Sequence, residues 1–115
     1  MKKNEIRSVS PVEYTLSTIG GKWKPSVINM IRTDRNRYSI LLKNITEISK
    51  QTLTNQLREL ETDGIIERII YPEIPPRVEY KITDYGKTLL PIIDSMYKWG
   101  IQNMPTENKG YCDEN

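Results

Sequence analysis

The stretch ISKQTLTNQLRELETDG, residues 48–64, places apolar residues at Leu53, Leu57 and Leu60, the spacing of one buried helix face. Ser49 stands before the first turn as an N-cap and Gly64 after the last, which sets a helix over 49–63. Upstream, Ser10-Pro11-Val12-Glu13 has the S-x-x-E form with proline at the first helical position. That is a capping box, in which the serine hydroxyl accepts from the Glu13 amide and the carboxylate reaches back. The helix it opens runs through Tyr14, Leu16 and Ile19 to a stop at Gly20-Gly21. Lys22-Trp23-Lys24-Pro25 opens a second helix with Trp23, Val27, Ile28 and Ile31 inward. Its proline falls among first-turn amides that have no intrahelical partner.

After the polar loop TDRNR, 33–37, Tyr38 is expected in a very short strand and Ser39 as the cap of a short third helix, with Leu42 and Ile45 inward. IIERIIY (65–71) and RVEYKI (77–82) read as strands joined by PEIPP. Thr83-Asp84 caps a last helix reaching about Met104, with Pro91 inside it as a kink. Helix, helix, short helix, longer helix, hairpin, helix is the order of a winged helix-turn-helix. The fold class expected is therefore mainly α (α+β), with a two-stranded β-wing and terminal dimerisation helices. Residues 10–104 form the domain, 1–9 a flexible N-terminus and 105–115 a polar, disordered tail.

Composition narrows the function. The 115 residues carry one cysteine, Cys112, and no histidine. That removes the commonest general base and the commonest transition-metal ligand, and with them a structural zinc site. No cofactor, metal or catalytic residue is expected, and the protein does not read as an enzyme. No apolar run is long enough to span a membrane and the N-terminus has no apolar signal core, so a cytoplasmic location is expected. Net charge is only +2, but residues 1–60 hold 11 Lys and Arg against 5 Asp and Glu, while 61–115 hold 6 against 10. A basic first half suits one face to a polyanion.

With the leucines of helix 49–63 inward, Gln51, Asn55, Arg58 and Thr62 point nearly opposite, flanked by Lys50 and Thr54. Glutamine and asparagine amides pair with adenine N6/N7 and arginine with guanine O6/N7. Ser49, Lys50, Gln51, Thr54, Asn55 and Arg58 are thus candidates for contact with a DNA major groove, the helix N-terminus favouring phosphate. A plain solvated helix face has the same polarity; the preceding helix and the hairpin favour the groove. At the hairpin tip, Pro72, Pro75 and Pro76 stiffen the turn and block edge pairing. Arg77 stands where a wing approaches the backbone or minor groove. Glu73 and Glu79 oppose such a contact if they face DNA, and the plainer alternative pairs Arg77 with one of them. Among Lys22, Lys24, Arg35, Arg37 and Lys43, Lys22 and Arg37 are the first candidates for phosphate clamps.

In TDYGKTLLPIIDSMYKWGIQNM, Tyr85, Leu89, Ile92, Ile93 and Met96 form a stripe, widened by Leu90, Tyr97, Ile101 and Met104, with Trp99 at its edge. That arc exceeds what a core-facing stripe needs. A two-fold dimer would cover it, through Tyr14, Leu90, Ile93, Tyr97, Ile101 and Met104; a helix wedged in its own domain is the alternative.

PVEYTL (11–16), GGKWKP (20–25), SKQTLTNQLRELETDGII (49–66), YPEIPPRVEYKIT (71–83), YGKTLLPI (85–92) and KWG (98–100) together resemble the HxlR-type family of bacterial winged-helix transcription regulators, related to the MarR group. The resemblance covers about residues 10 to 104. It implies a homodimer joined through terminal helices, with two recognition helices in successive major grooves of an imperfectly palindromic double-stranded DNA operator. Half-sites would then lie ~34 Å apart. Several family members sense oxidants through a cysteine immediately before the PVEYTL motif. Here that position is Ser10, and Cys112 matches no sensor position, so the resemblance carries no thiol switch over. The sequence specifies no effector. A winged-helix module that binds protein is the alternative function, and it predicts an uncharged or acidic stripe where Lys50 and Arg58 stand. A ligand pocket lined by Tyr14, Trp23, Tyr97 or Trp99 is a lesser one.

Overall fold

The computed structural model describes residues 10–45 and 47–105. The expectations for residues 1–9 and for the tail from 106 onward, Cys112 included, lie outside them. Among the described residues the elements are α1 (Pro11–Ile19), α2 (Lys24–Arg32), α3 (Tyr38–Asn44), α4 (Lys50–Thr62), β1 (Ile66–Tyr71), β2 (Arg77–Ile82), α5 (Asp84–Lys87) and α6 (Leu90–Asn103).

Hydroxyl caps start three of the helices. Ser10 Oγ accepts from the Glu13 amide at 3.0 Å and the Ser10 amide donates to Glu13 Oε1 at 3.0 Å, which completes the capping box. Ser49 Oγ accepts from the Thr52 amide at 3.0 Å, and Thr83 Oγ1 from the Gly86 amide at 2.9 Å. Each such cap contributes about 1 kcal/mol. Gly64 ends α4 at φ +77°, a left-handed conformation that costs glycine nothing. Gly86 serves close approach instead, since a Cβ there would lie 2.1 Å from the Ile65 carbonyl oxygen.

Two expectations need correction. Tyr38 is helical, not extended: α3 begins there with Arg37 as its N-cap, and Ser39 lies inside the first turn. The extended pairing ends one residue earlier, where Arg37 bridges Glu79. The Tyr80 amide donates to the Asn36 carbonyl and Asn36 Nδ2 donates to the Tyr80 carbonyl, both at 3.0 Å. With the edge satisfied by Asn36, the Arg37 carbonyl is left to accept the first helical bond, from Leu41 at 2.9 Å. The last helix is not one kinked rod but two helices. Pro91 has no N–H to give the Lys87 carbonyl, and its ring crowds that group. Lys87 is accordingly the last residue of α5, and Pro91 falls in the first turn of α6.

The core is built from Ile19 of α1, Val27, Ile28 and Ile31 of α2, Leu41 of α3 and Leu53, Leu57 and Leu60 of α4, closed by Ile65, Ile66, Tyr80 and Ile93. Antiparallel β1 and β2 pair Ile66 with Ile82 through to Tyr71 with Arg77. α4 packs on β1 and α2 on β2, so the polar face of α4 and the hairpin tip project from one apolar base. No described helix is long and apolar enough to cross a membrane.

Candidate nucleic-acid interface

Burial of Leu53, Leu57 and Leu60 at 0–2% exposure fixes the roll of α4, and the outward stripe follows from it. Ser49, Lys50, Gln51, Asn55 and Arg58 are exposed, and Thr54 is half-buried. Thr54 sits lower because its Oγ1 lies 3.1 Å from the Tyr38 hydroxyl, which also donates to the Lys50 carbonyl at 3.1 Å. The first turn of α4 is thereby tied to α3. The other end is tied to α2, where Lys24 Nζ lies 2.6 Å from Glu59 Oε1 with the lysine side chain only 7% exposed. Lys24 is therefore committed to the interior and is not a phosphate clamp. Lys22 stays exposed, 3.8 Å from Glu47 and with its ammonium 4.7 Å from the Trp23 ring centroid.

The hairpin has two faces of different character. In register, Ile66, Arg68 and Ile70 share one face with Ile82, Tyr80 and Val78; Glu67, Ile69 and Tyr71 share the other with Lys81, Glu79 and Arg77. The first face lies against α4. There Arg68 and Tyr80, with Tyr38, Thr54, Arg58 and Glu61, line a cleft of about 240 Å³ floored by Leu57. Burial pushes the Tyr80 hydroxyl above its ordinary pKa, with the Arg68 charge acting against this shift and Glu61 adding to it.

The opposite face carries Arg77. Its Nη2 lies 3.3 Å from Glu73 Oε2 and its Nε 3.4 Å from Glu79 Oε2, while its guanidinium stacks 4.1 Å from the Tyr71 ring centroid. The buried Nε makes an ion pair without hydrogen-bond alignment. Arg37 Nε approaches the same Glu79 oxygen at 3.6 Å. Arg37 and Arg77, both singled out from the sequence as phosphate or wing contacts, are thus met by carboxylates on the face turned away from α4. The hairpin cation beside α4 is Arg68, which sequence reasoning missed. Strand alternation was the available signal, but the apolar residues of IIERIIY do not alternate, so the run does not say which side faces the core.

Away from this region, α5 and α6 expose Tyr85, Ile92, Met96 and Trp99, and α1 exposes Val12, Tyr14 and Leu16. Leu90, Tyr97, Ile101 and Met104 are half-buried, whereas Ile93 is part of the chain's own core. Arg32 Nη2 donates to Asp94 Oδ1 at 2.5 Å, joining α2 to α6. That hydrogen bond holds the Asp94 carboxyl below the usual carboxylate range.

A capped, outward-polar helix held by two neighbours and followed by a β-hairpin defines a winged helix-turn-helix of the kind that regulates transcription. Residues 18–108 match the family described as HxlR-like helix-turn-helix. A helix-turn-helix transcriptional regulator of Halalkalibacterium halodurans is 43% identical over 104 residues, covering 88% of this chain and 92% of that one. Among solved structures, the redox regulator HypR in its oxidised form superposes with a TM-score of 0.80 at 42% identity, covering 84% of this chain and all of that one. A MarR-family transcriptional regulator from Porphyromonas gingivalis W83 superposes with a TM-score of 0.75 at 37% identity, covering 85% and 100%. The chain belongs to the HxlR family of helix-turn-helix transcriptional regulators, and its relatives are regulators rather than enzymes.

Proposed function

We propose that the protein is a cytoplasmic homodimer that recognises an imperfectly palindromic duplex operator, with the helix of residues 49–63 in the major groove and the wing, 71–80, along the backbone or minor groove. The observation that carries this is the stripe of Lys50, Gln51, Asn55 and Arg58, exposed on a helix whose two ends are anchored to α3 and α2. A rigidly held row of amides and a guanidinium is what base-edge recognition requires. The apolar surface of Tyr85, Ile92, Met96 and Trp99 on α5 and α6, flanked by Leu90, Tyr97, Ile101 and Met104, supports association with a second copy, and Tyr14 of α1 offers a further exposed ring. Ile93 supports the same helix from inside. Lys22 and Arg37 stand as phosphate contacts only as far as their ion pairs exchange for phosphate. HypR is a redox regulator, but here Ser10 uses its side chain as a helix cap, so redox sensing at that position does not extend to this chain.

Selection of bound duplexes from a random pool, followed by a salt titration and a mass measurement on the winner, tests this. A two-fold motif with half-sites ~34 Å apart, bound by a dimer with steep salt dependence, is expected. Failure to enrich any sequence over non-specific binding would sink the reading and favour a protein partner for α4.

A further inference from the structure

The cleft between α4 and the hairpin holds Arg68 and Tyr80, which base reading leaves unused, beside the base-reading Arg58. Among the described residues, Arg32, Arg37 and Arg77 are each in an ion pair. Arg58 and Arg68 are in none, and both charges act on Tyr80. The Tyr38 and Thr54 hydroxyls are satisfied by one another and by the Lys50 carbonyl. Tyr80 is different. It is 8% exposed, it lines the cleft, and its hydroxyl has no hydrogen-bond partner among the described residues. A hydroxyl that opens into the cleft beside two guanidinia without ion pairs presents a converging set of donors to an oxyanion. Like any tyrosine hydroxyl it is protonated, and so a donor, at neutral pH.

We propose that this cleft is an oxyanion subsite that takes a phosphate group, with Arg68 meeting its charge, the neighbouring Arg58 adding to the positive field, and the Tyr80 hydroxyl donating to one of its oxygens. The phosphate is either a backbone phosphodiester of bound DNA or a free phosphate ion. Glu61 lines the same cleft and its charge also acts on Tyr80, so its carboxylate opposes the anion. The duplex source rests on the DNA-binding reading above; the site itself does not, because free phosphate can probe it alone.

The first arm is a salt titration of wild type and Arg68→Gln on the selected operator and on an unrelated duplex. Arg68 is exposed, so the variant keeps the fold. Its binding should weaken on both duplexes alike, with the salt slope reduced by about one unit. Tyr80→Phe keeps the buried ring and should weaken both duplexes with the slope unchanged, whereas Glu61→Gln should tighten both. The second arm is titration with inorganic phosphate, read by amide NMR shifts at residues 68 and 80. Saturable shifts that vanish in Arg68→Gln show that the site takes the free ion; a changed DNA slope without them assigns the phosphate to the duplex. If the wild type binds an operator, an unchanged slope in Arg68→Gln with no phosphate-dependent shift overturns the subsite and leaves the DNA reading standing. If the wild type binds no duplex, the phosphate titration decides alone, and absence of shifts overturns it.

Discussion

The two faces of the hairpin carry the same kinds of residue to different ends. On the face against α4, Tyr80 and Ile66 are buried, and Arg68 has no ion-pair partner among the described residues. On the other, Arg37 and Arg77 converge on one oxygen of Glu79, Glu73 caps the second arginine, and two guanidinia are balanced by two carboxylates. Counting basic residues along a wing therefore overstates its pull on a polyanion. What matters is whether a cation already has a partner, because phosphate must then displace a carboxylate to gain anything.

The largest test of this asymmetry is thermodynamic. Ile66→Ala should cost ~2–5 kcal/mol in denaturant unfolding, and Ile69→Ala, half-buried on the opposite face, clearly less. Equal losses would show that both faces are packed alike. Next in size, Arg58→Ala should remove ~1–3 kcal/mol of base discrimination and relax preference at one operator position, which a selection repeated with the variant would reveal. On the paired face, Glu79→Gln should cost ~1 kcal/mol or less of stability yet steepen the salt dependence of DNA binding, since it frees Arg37 and leaves Arg77 with Glu73 alone. Arg77→Ala should flatten that slope by less than Arg68→Gln does; the reverse ranking would exchange the roles assigned to the two faces. The smallest effect is alkaline. The folded-state pKa of Tyr80 lies above the ordinary 10.0, so its contribution to stability is complete below that value and is lost as pH rises through the raised one. Tyr80→Phe should remove this alkaline loss, measured as unfolding free energy against pH.

Much of this was legible along the chain. The S-x-x-E box, the leucine spacing of α4 and the glycine after it are local signals, and each is realised with the geometry its residues dictate. What was not legible depended on partners distant in sequence. Tyr38 looked extended because β-propensity favours tyrosine, but Asn36 satisfies the strand edge 44 residues away and leaves Tyr38 to begin α3. Arg77 was visible because it adjoins a proline-rich tip. Arg68 was hidden in a run that is apolar on both sides, and only the pairing of Arg68 with Tyr80 shows that it lies beside Arg58.

The ion pairs of α2 have a mechanical consequence. Lys24 is its first residue and grips Glu59 of α4; Arg32 is its last and grips Asp94 of α6. The nine-residue helix is thus a connecting rod ~12 Å long, pinned at one end to the element that would read DNA and at the other to the element that would meet a second subunit. The two joints differ in stiffness. Lys24 is almost wholly enclosed, whereas Arg32 and Asp94 are open to water, where dissolved ions weaken their attraction. Acid reaches the outer joint only late, because Asp94 stays ionised below the usual carboxylate range. Ordinary changes of ionic strength reach it first, and they would slacken the coupling between the two ends of the rod before they disturb the seat of the reading helix.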